Sequence, residues 1–252
     1  MPPFPQPIYL RLFSHASLIL DSTTQETSIL ETFQTVLSAI PGQLGVFWDV
    51  GANFGWYTWL CAHIRPAFSI VSFEPDSKNL ECLRRTSRSW NLPNHLIVPA
   101  AVSKQSGRAT FYLDEITGAT GTLKNDEATF TAAYYGATPK AVEVDMISLD
   151  EFARDHEPPS LIKLDIEGTE LSALGGGSRL IERFRPILLL ETCYQRRDIF
   201  NFLERFGYRL YDSDRRSSVD DSTINIIGFV PDRLPMMDKL LSQLGYPVPT
   251  SA

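Results

Sequence analysis

Cysteine is scarce and follows no pattern. Cys61, Cys82 and Cys193 are the only three in 252 residues. Their spacing matches no metal site, and an odd number cannot pair completely, so reduced thiols and a cytoplasmic setting are expected. No apolar run reaches the roughly 20 residues needed to span a bilayer. Pro2, Pro3, Pro5, Pro7, Arg11 and His15 break up the apolar opening MPPFPQPIYLRLFSHASLIL, which excludes a signal-type core and predicts no membrane insertion. Positive charge is in deficit: 23 Lys and Arg face 30 Asp and Glu, a net charge of −7. Nucleic acid is held by clustered cations, whereas the basic groups here are the short patches Arg84-Arg85 with Arg88, Arg196-Arg197 and Arg215-Arg216. No nucleic-acid partner is expected. Internal repeats and low-complexity tails are also missing.

The remaining composition is globular. With 43% hydrophobic and 21% charged residues, the chain can bury the core of one large domain or of a domain with an appendage. From residue 46 apolar strands alternate with helical patterns. VFWDV (46–50), SIVSFE (69–74), HLIVPAAV (95–102), LIKLDI (161–166) and PILLLET (186–192) read as strands. Helices are predicted from Gly55 to about Ile64, over 76–90, near 168–184 and over 196–206. Continuous apolar strands between helices imply a parallel sheet covered on both faces. YRLYD (208–212) and TINIIGFV (223–230) form a closing antiparallel pair. The expected division is an N-terminal extension (1–45, with a helix at 24–40), a central domain (46–230) and a C-terminal tail (231–252). Within the central domain, 107–146 is an insertion: GRATFYL and AVEVDMISL alternate as edge strands around a long Gly/Ala/Thr-rich loop, 114–141, suited to a lid. Tyr134-Tyr135 in that loop could stack on a substrate or pack within the lid.

The stretch FWDVGANFGWYT (47–58) carries the chemistry. Gly51 can take positive φ and admits a ligand close to the backbone. Gly55 allows tight packing where the next helix starts, and that helix offers unpaired N–H donors. A dinucleotide loop needs G-x-G-x-x-G, so that pyrophosphate can approach the second glycine. Here Asn53 occupies that place and Asp49 lies two residues before the first glycine, a poor setting for pyrophosphate. An acid there suits a ligand with an ammonium group and no phosphate, such as S-adenosylmethionine. Glu74 ends the second strand 19 residues past Gly55, and its two oxygens match a ribose diol.

The chain at this point resembles the FkbM-type S-adenosylmethionine-dependent methyltransferases over about residues 46–192. The resemblance rests on DVGANFGWYT (49–58), FEPDSKNLECL (73–83), AAVSKQSGRATFYL (100–113) and LIKLDIEGTELSALGGG (161–177). It implies a class I methyltransferase, a Rossmann-like, mostly parallel sheet with an antiparallel final strand and helices on both faces. It also places Asp49, Gly51, Ala52, Asn53, Gly55, Tyr57 and Thr58 around the methionine end of the cofactor, Glu74 on the ribose and Ala101-Val102 at the adenine. Substrate choice is not implied, since residues 1–45 and the tail lie outside the resemblance.

Methyl transfer is an in-line displacement in which the protein positions the acceptor and removes its proton. Asp165, which ends the fourth strand and also borders the cofactor, is the first choice for base or acceptor orienter. Glu167 is the second and Glu191, at the next strand end, the third. Those three acids could also assemble an oxygen-ligand Mg²⁺ site, a less favoured reading because acids are common at helix starts. By the same logic Asp49 could cap the following helix, Glu74 could be a surface acid, Asp165 could be an N-cap, and Glu170 is best explained as a first-turn acid. Gly175-Gly176-Gly177 reads as a helix end. Trp48, Phe54, Trp56 and Trp59 read as core, with one of them a candidate cation–π partner of the sulfonium. His63, His95 and His156 have no visible partner and read as structural or surface residues.

The leading expectation is an O-methyltransferase that uses S-adenosylmethionine, releases S-adenosylhomocysteine, and acts on a hydroxyl of a sugar or secondary metabolite. The alternatives are methyl ester formation on a small carboxylic acid, a nicotinamide-dependent oxidoreductase, and an inactive cofactor-binding module. The expected partner is a small-molecule acceptor; a homodimer is left open.

Overall fold

A computed structural model describes residues 4, 6–11, 15, 27–116, 118–124, 136, 138–192, 194–231 and 236–247. Cys193 and the Tyr134-Tyr135 pair fall outside these residues.

The alternation read from the sequence builds an eight-stranded sheet. Its strands are β1 (Val46–Val50), β2 (Ser69–Phe73), β3 (His95–Val98), β7 (Leu161–Leu164), β8 (Ile187–Glu191), β9 (Arg209–Asp212), β10 (Ser217–Ser218) and β11 (Asn225–Phe229). The order is β10-β9-β11-β8-β7-β1-β2-β3. Strands β3, β2, β1, β7 and β8 are mutually parallel, while β11 runs antiparallel between β8 and β9. The final long strand is therefore inserted into the sheet rather than added at its edge.

Eight helices are described: α1 (Thr27–Ala39), α2 (Trp56–Ile64), α3 (Ser77–Trp90), α4 (Leu149–Phe152), α5 (Glu170–Gly176), α6 (Ser178–Phe184), α7 (Arg196–Glu204) and α8 (Met236–Gln243). Alternation along each strand decides which helices it buries. In β1, Phe47 faces α1, α2 and α8 through Phe33, Leu37, Leu60 and Leu241. Its neighbours Trp48 and Val50 face α4, α5, α6 and α7 through Phe152, Leu174, Ile181 and Leu203. All five residues of β1 are buried, as a strand covered on both faces must be. Residues before 46 and after 231 join this core: α1 and α8 pack together, and the Thr32 and Tyr246 hydroxyls lie 2.8 Å apart.

HLIVPAAV does not form one strand. It divides at Pro99, which has no N–H for the ladder, into β3 of the large sheet and β4 (Ala101–Val102) of a second one. This smaller sheet has the order β4-β6-β5, with β5 (Gly107–Leu113) antiparallel to β6 (Lys140–Ile147). The insertion is thus a hairpin. Beyond its end, Thr122 bridges back to Tyr112. Among the described residues, no helix is long and apolar enough to cross a membrane.

Candidate active site

The chain moves outward from β1 through β2 to β3, then returns to β7 on the other side of β1. A crevice opens at such a switch point, at the carboxyl ends of the strands. The turn after β1 fills its floor. The Gly51 and Ala52 N–H groups both donate to the Phe73 carbonyl at 3.0 Å, tying the turn to the end of β2. Gly51 has φ +80, and a Cβ there would lie 1.8 Å from the Asp165 carbonyl oxygen. The close approach that requires glycine is therefore made by the end of β7. Asn53 takes φ +53, a left-handed conformation that asparagine tolerates better than most residues.

Glu74 is not a surface acid. It is 5% exposed and accepts the Asn53 N–H on one oxygen and the Asp76 N–H on the other, each at 2.8 Å. Burial pushes its carboxyl up to about 7, against the two N–H bonds that favour the ionised form. Each oxygen keeps lone-pair capacity for a further donor, so a diol can bind across the pair.

Asp49 takes a different position from the one predicted. Its carboxylate turns beneath the loop and accepts from the Thr58 N–H (3.0 Å) and hydroxyl (2.6 Å). It thereby caps the first turn of α2, whose preceding residue Gly55 supplies no side-chain cap. Thr58 is fully buried and also bonds the Ser72 hydroxyl at 2.7 Å. Tyr57 packs edge-on against Phe33, 5.0 Å away, and beneath the Lys163 ammonium, 5.0 Å from its ring. Burial raises the Asp49 carboxyl to about 6, with the Thr58 hydroxyl and Lys163 opposing.

At the end of β7, the buried Lys163 ammonium donates to Asp165 at 3.0 Å. Asp165 is not an N-cap, because α5 begins only at Glu170 behind Thr169. The intervening turn holds Glu167 at φ +54, a strained conformation for glutamate. Two contacts hold that turn in place: Thr122 Oγ1 donates to the Glu167 carbonyl at 2.9 Å, and Glu170 accepts the Gly168 N–H at 2.9 Å. Glu170 is thus a turn and first-turn acid. The Glu167 carboxyl is raised well above the ordinary value, first by burial, then by Asp165, Glu191 and Glu170 around it.

These walls border a cleft whose empty space, the open solvent at its mouth included, is about 580 Å³. Of the predicted residues, Gly51, Asn53, Glu74, Ala101, Val102, Asp165 and Glu167 line it. Asp49, Ala52, Gly55, Tyr57 and Thr58 are buried and are not among its lining residues, and Glu191, also outside the lining, ends β8 close enough to Glu167 to raise its pKa. The sequence reading missed Asp76 and Asn79 at the start of α3, and a roof made by Phe111, Leu113 and the segment 118–123. Among the described residues, no tryptophan, lysine, arginine or histidine lines the cleft. His95 does have partners: its ring lies between the Ser72 and Ser87 hydroxyls at 2.9 and 3.0 Å. His156 stacks on Phe152, 3.8 Å away. Among the described residues, no group of three or more His, Cys, Asp or Glu is arranged to hold a metal ion.

Comparison with known proteins points the same way. The hexuronic acid methyltransferase AglP of Haloferax volcanii is 29% identical over 147 residues, which cover 57% of this chain and 54% of that protein. The chain therefore spans about half the length of this relative. The crystal structure of the methyltransferase FkbM from Methylobacillus flagellatus superposes with a TM-score of 0.52 at 18% identity, covering 74% of this chain and 44% of that one. It supports the fold. The profile of the methyltransferase FkbM domain matches residues 49–210, well over half of the chain, and the protein belongs to that family.

Proposed function

We propose that the protein is an S-adenosylmethionine-dependent O-methyltransferase whose acceptor is a hydroxyl of a sugar or another small molecule. One observation carries this reading. A single cleft at the switch point is walled by a diol-sized carboxylate, Glu74, on one side and by the acids Asp165 and Glu167 on the other. The residues present fit the cofactor. Glu74 suits the ribose hydroxyls, the small Ala101 and Val102 leave room for a flat base, and the acidic end suits a ligand carrying ammonium and sulfonium charge. The bound cofactor supplies an electrophilic methyl group on sulfonium.

The chain's own part is to orient the acceptor and take its proton. Lys163 fixes Asp165 in one position, where its outer oxygen can accept from an acceptor hydroxyl. Glu167, whose carboxyl pKa is raised well above the ordinary value by burial and the surrounding acids, is suited to remove the proton from that hydroxyl once it is ionised. This changes the ranking drawn from sequence, with Asp165 as orienter and Glu167 as base. Glu191 acts through Glu167 by its charge.

Methyl ester formation is disfavoured by the same wall. A carboxylate acceptor would meet Asp165 and Glu167 with no cation among the described lining residues to receive it. A hexuronic acid, the substrate class named for the Haloferax relative, offers hydroxyls as well as a carboxylate, and the acidic wall selects the hydroxyls. The test is incubation with methyl-labelled cofactor and glucuronate, glucose, a small carboxylic acid and an amine, with products identified by mass. Ether products support the reading. A methyl ester as the sole product would overturn it, as would NAD(H) binding in place of S-adenosylhomocysteine.

A further inference from the structure

The N-terminal segment runs along α3 and ends at the cleft. Phe4 lies edge-on to Trp56 and Trp90, the Trp90 indole donates to the Pro7 carbonyl at 3.1 Å, and the Tyr9 N–H donates to the Thr86 hydroxyl at 2.9 Å. These contacts fix its path.

Beyond them the partners change in kind. The Arg11 guanidinium donates to the Asp76 carboxylate at 3.2 Å and to the Asn79 side-chain oxygen at 3.3 Å. Both acceptors line the cleft. The Asp76 N–H in turn donates to Glu74, and the Asn79 side-chain amide donates to the Gly118 carbonyl in the roof at 2.9 Å. Through one intermediary on each side, Arg11 reaches both the proposed ribose acid and the roof.

His15 serves the opposite lip. It is fully buried, with its ring 4.7 Å from that of Phe54. The Arg11 N–H donates to its Nδ1 at 3.2 Å, which leaves the ring proton on Nε2. Burial and the Arg11 charge keep the imidazole neutral, at about 4. The Nε2 donor of His15 and the Oδ1 acceptor of Asn53 are both buried without a hydrogen-bond partner among the described residues. The two side chains are neighbours, and Asn53 favours the protonated ring.

We infer that Arg11 and His15 are positioning residues of the cofactor site: Arg11 sets the Glu74–Asp76–Asn79 wall and the Gly118 roof, and His15 sets Asn53 in the loop after β1. This rests on reading the cleft as a cofactor site. The physical argument is one of geometry. Apolar contacts alone would hold the segment on α3, whereas a nearly buried guanidinium carries a desolvation cost. It is offset where one guanidinium nitrogen, Nη1, meets both acceptors at 3.2 and 3.3 Å.

The test uses the full chain and isothermal titration with S-adenosylhomocysteine, below the melting temperature of every variant. Arg11→Ala should weaken binding about tenfold, the scale of a charge-assisted hydrogen bond at a binding site. Arg11→Lys should fall between it and the unaltered chain, and His15→Phe should also weaken binding. Tyr9→Ala, which removes the ring beneath Arg85, should lower the melting temperature and leave binding within about twofold. If Arg11→Ala does not fold, Arg11→Lys and His15→Phe decide the matter. Unchanged affinity in both overturns the proposal, as does a loss in Tyr9→Ala equal to theirs. No binding by the unaltered chain would instead overturn the cofactor reading itself.

Discussion

The Lys163 ammonium donates to the Asp165 carboxylate at 3.0 Å from inside β7, so an acid of the cleft wall is held by a cation buried behind it. Asp49 lies opposite Lys163 in the β1–β7 register, and the Lys163 charge opposes the burial that raises the Asp49 pKa. One buried cation therefore serves two acids: one supports α2 through Thr58, and the other lines the cleft.

Removing that cation should be costly. Lys163→Met keeps most of the side-chain volume but leaves two carboxylates facing each other across adjacent strands. Breaking a buried pair in this way costs about 3 kcal/mol. Urea denaturation should show a loss of that order, with part of it restored in the Lys163→Met, Asp165→Asn double variant. A loss below about 1 kcal/mol would show that water already compensates the acids.

Much of this arrangement was legible in the sequence. Buried parallel strands declare themselves as apolar runs such as VFWDV and ILLLE, and the acids at their ends mark where the crevice opens. Which way an acid turns there was not legible. Asp49 faces Thr58 because α2 begins at Gly55, which brings no capping side chain, whereas Glu74 remains in the cleft because two N–H groups converge on it. Lys163 was passed over within KLDIEG, since a charged residue in a central strand gives no sign of its partner. Arg11 and His15 were read only as interruptions of an apolar segment. The partners of Arg11 lie 65 and 68 residues on and those of His15 lie 38 and 39 residues on, and contacts at such separations leave no periodic trace.

Two glycines of different motifs should respond in opposite ways. Gly51→Ala places a methyl group against the Asp165 carbonyl at a residue with φ +80. Left-handed strain alone costs about 1–2 kcal/mol, and the clash forces β1 and β7 apart. Stability should fall by more than about 2 kcal/mol, and S-adenosylhomocysteine binding should be lost with it. Gly175 lies within α5, with nothing within 4 Å of a built Cβ. Gly175→Ala should be neutral or stabilise by up to about 1 kcal/mol. The reverse order in thermal unfolding would sink the packing argument.

Glu74 should make both stability and binding depend on pH. Its folded value of about 7 lies above the ordinary 4.5, so the folded chain keeps a proton that the unfolded chain releases. The stabilisation is fully present below about 4.5 and is lost as pH rises through 7. Asp49, at about 6, acts with the same sign in the same window. Diol binding works the other way, because two hydroxyl donors favour the ionised acid. Titrating S-adenosylhomocysteine at pH 6 in buffers of different ionisation enthalpy should reveal proton release on binding. Glu74→Gln should abolish that release and weaken binding by at least about tenfold. Equal proton release in the variant would move the diol contact elsewhere.

Glu167 should govern the pH–rate profile with a hydroxyl acceptor. Burial and the surrounding carboxylates raise its pKa well above the usual glutamate range, so it acts as a base only once pH is high enough to ionise it. The rate should rise with pH along an acid limb displaced upward from that of an ordinary glutamate. Glu167→Gln removes the base while preserving size and hydrogen bonding. Its kcat should fall by at least about 100-fold, and the acid limb should vanish. Asp165→Asn should act mainly through acceptor KM, because it weakens orientation rather than proton removal. A Glu167→Gln enzyme that keeps half its rate would mean the acceptor arrives already ionised, and would put methyl ester formation ahead of hydroxyl methylation.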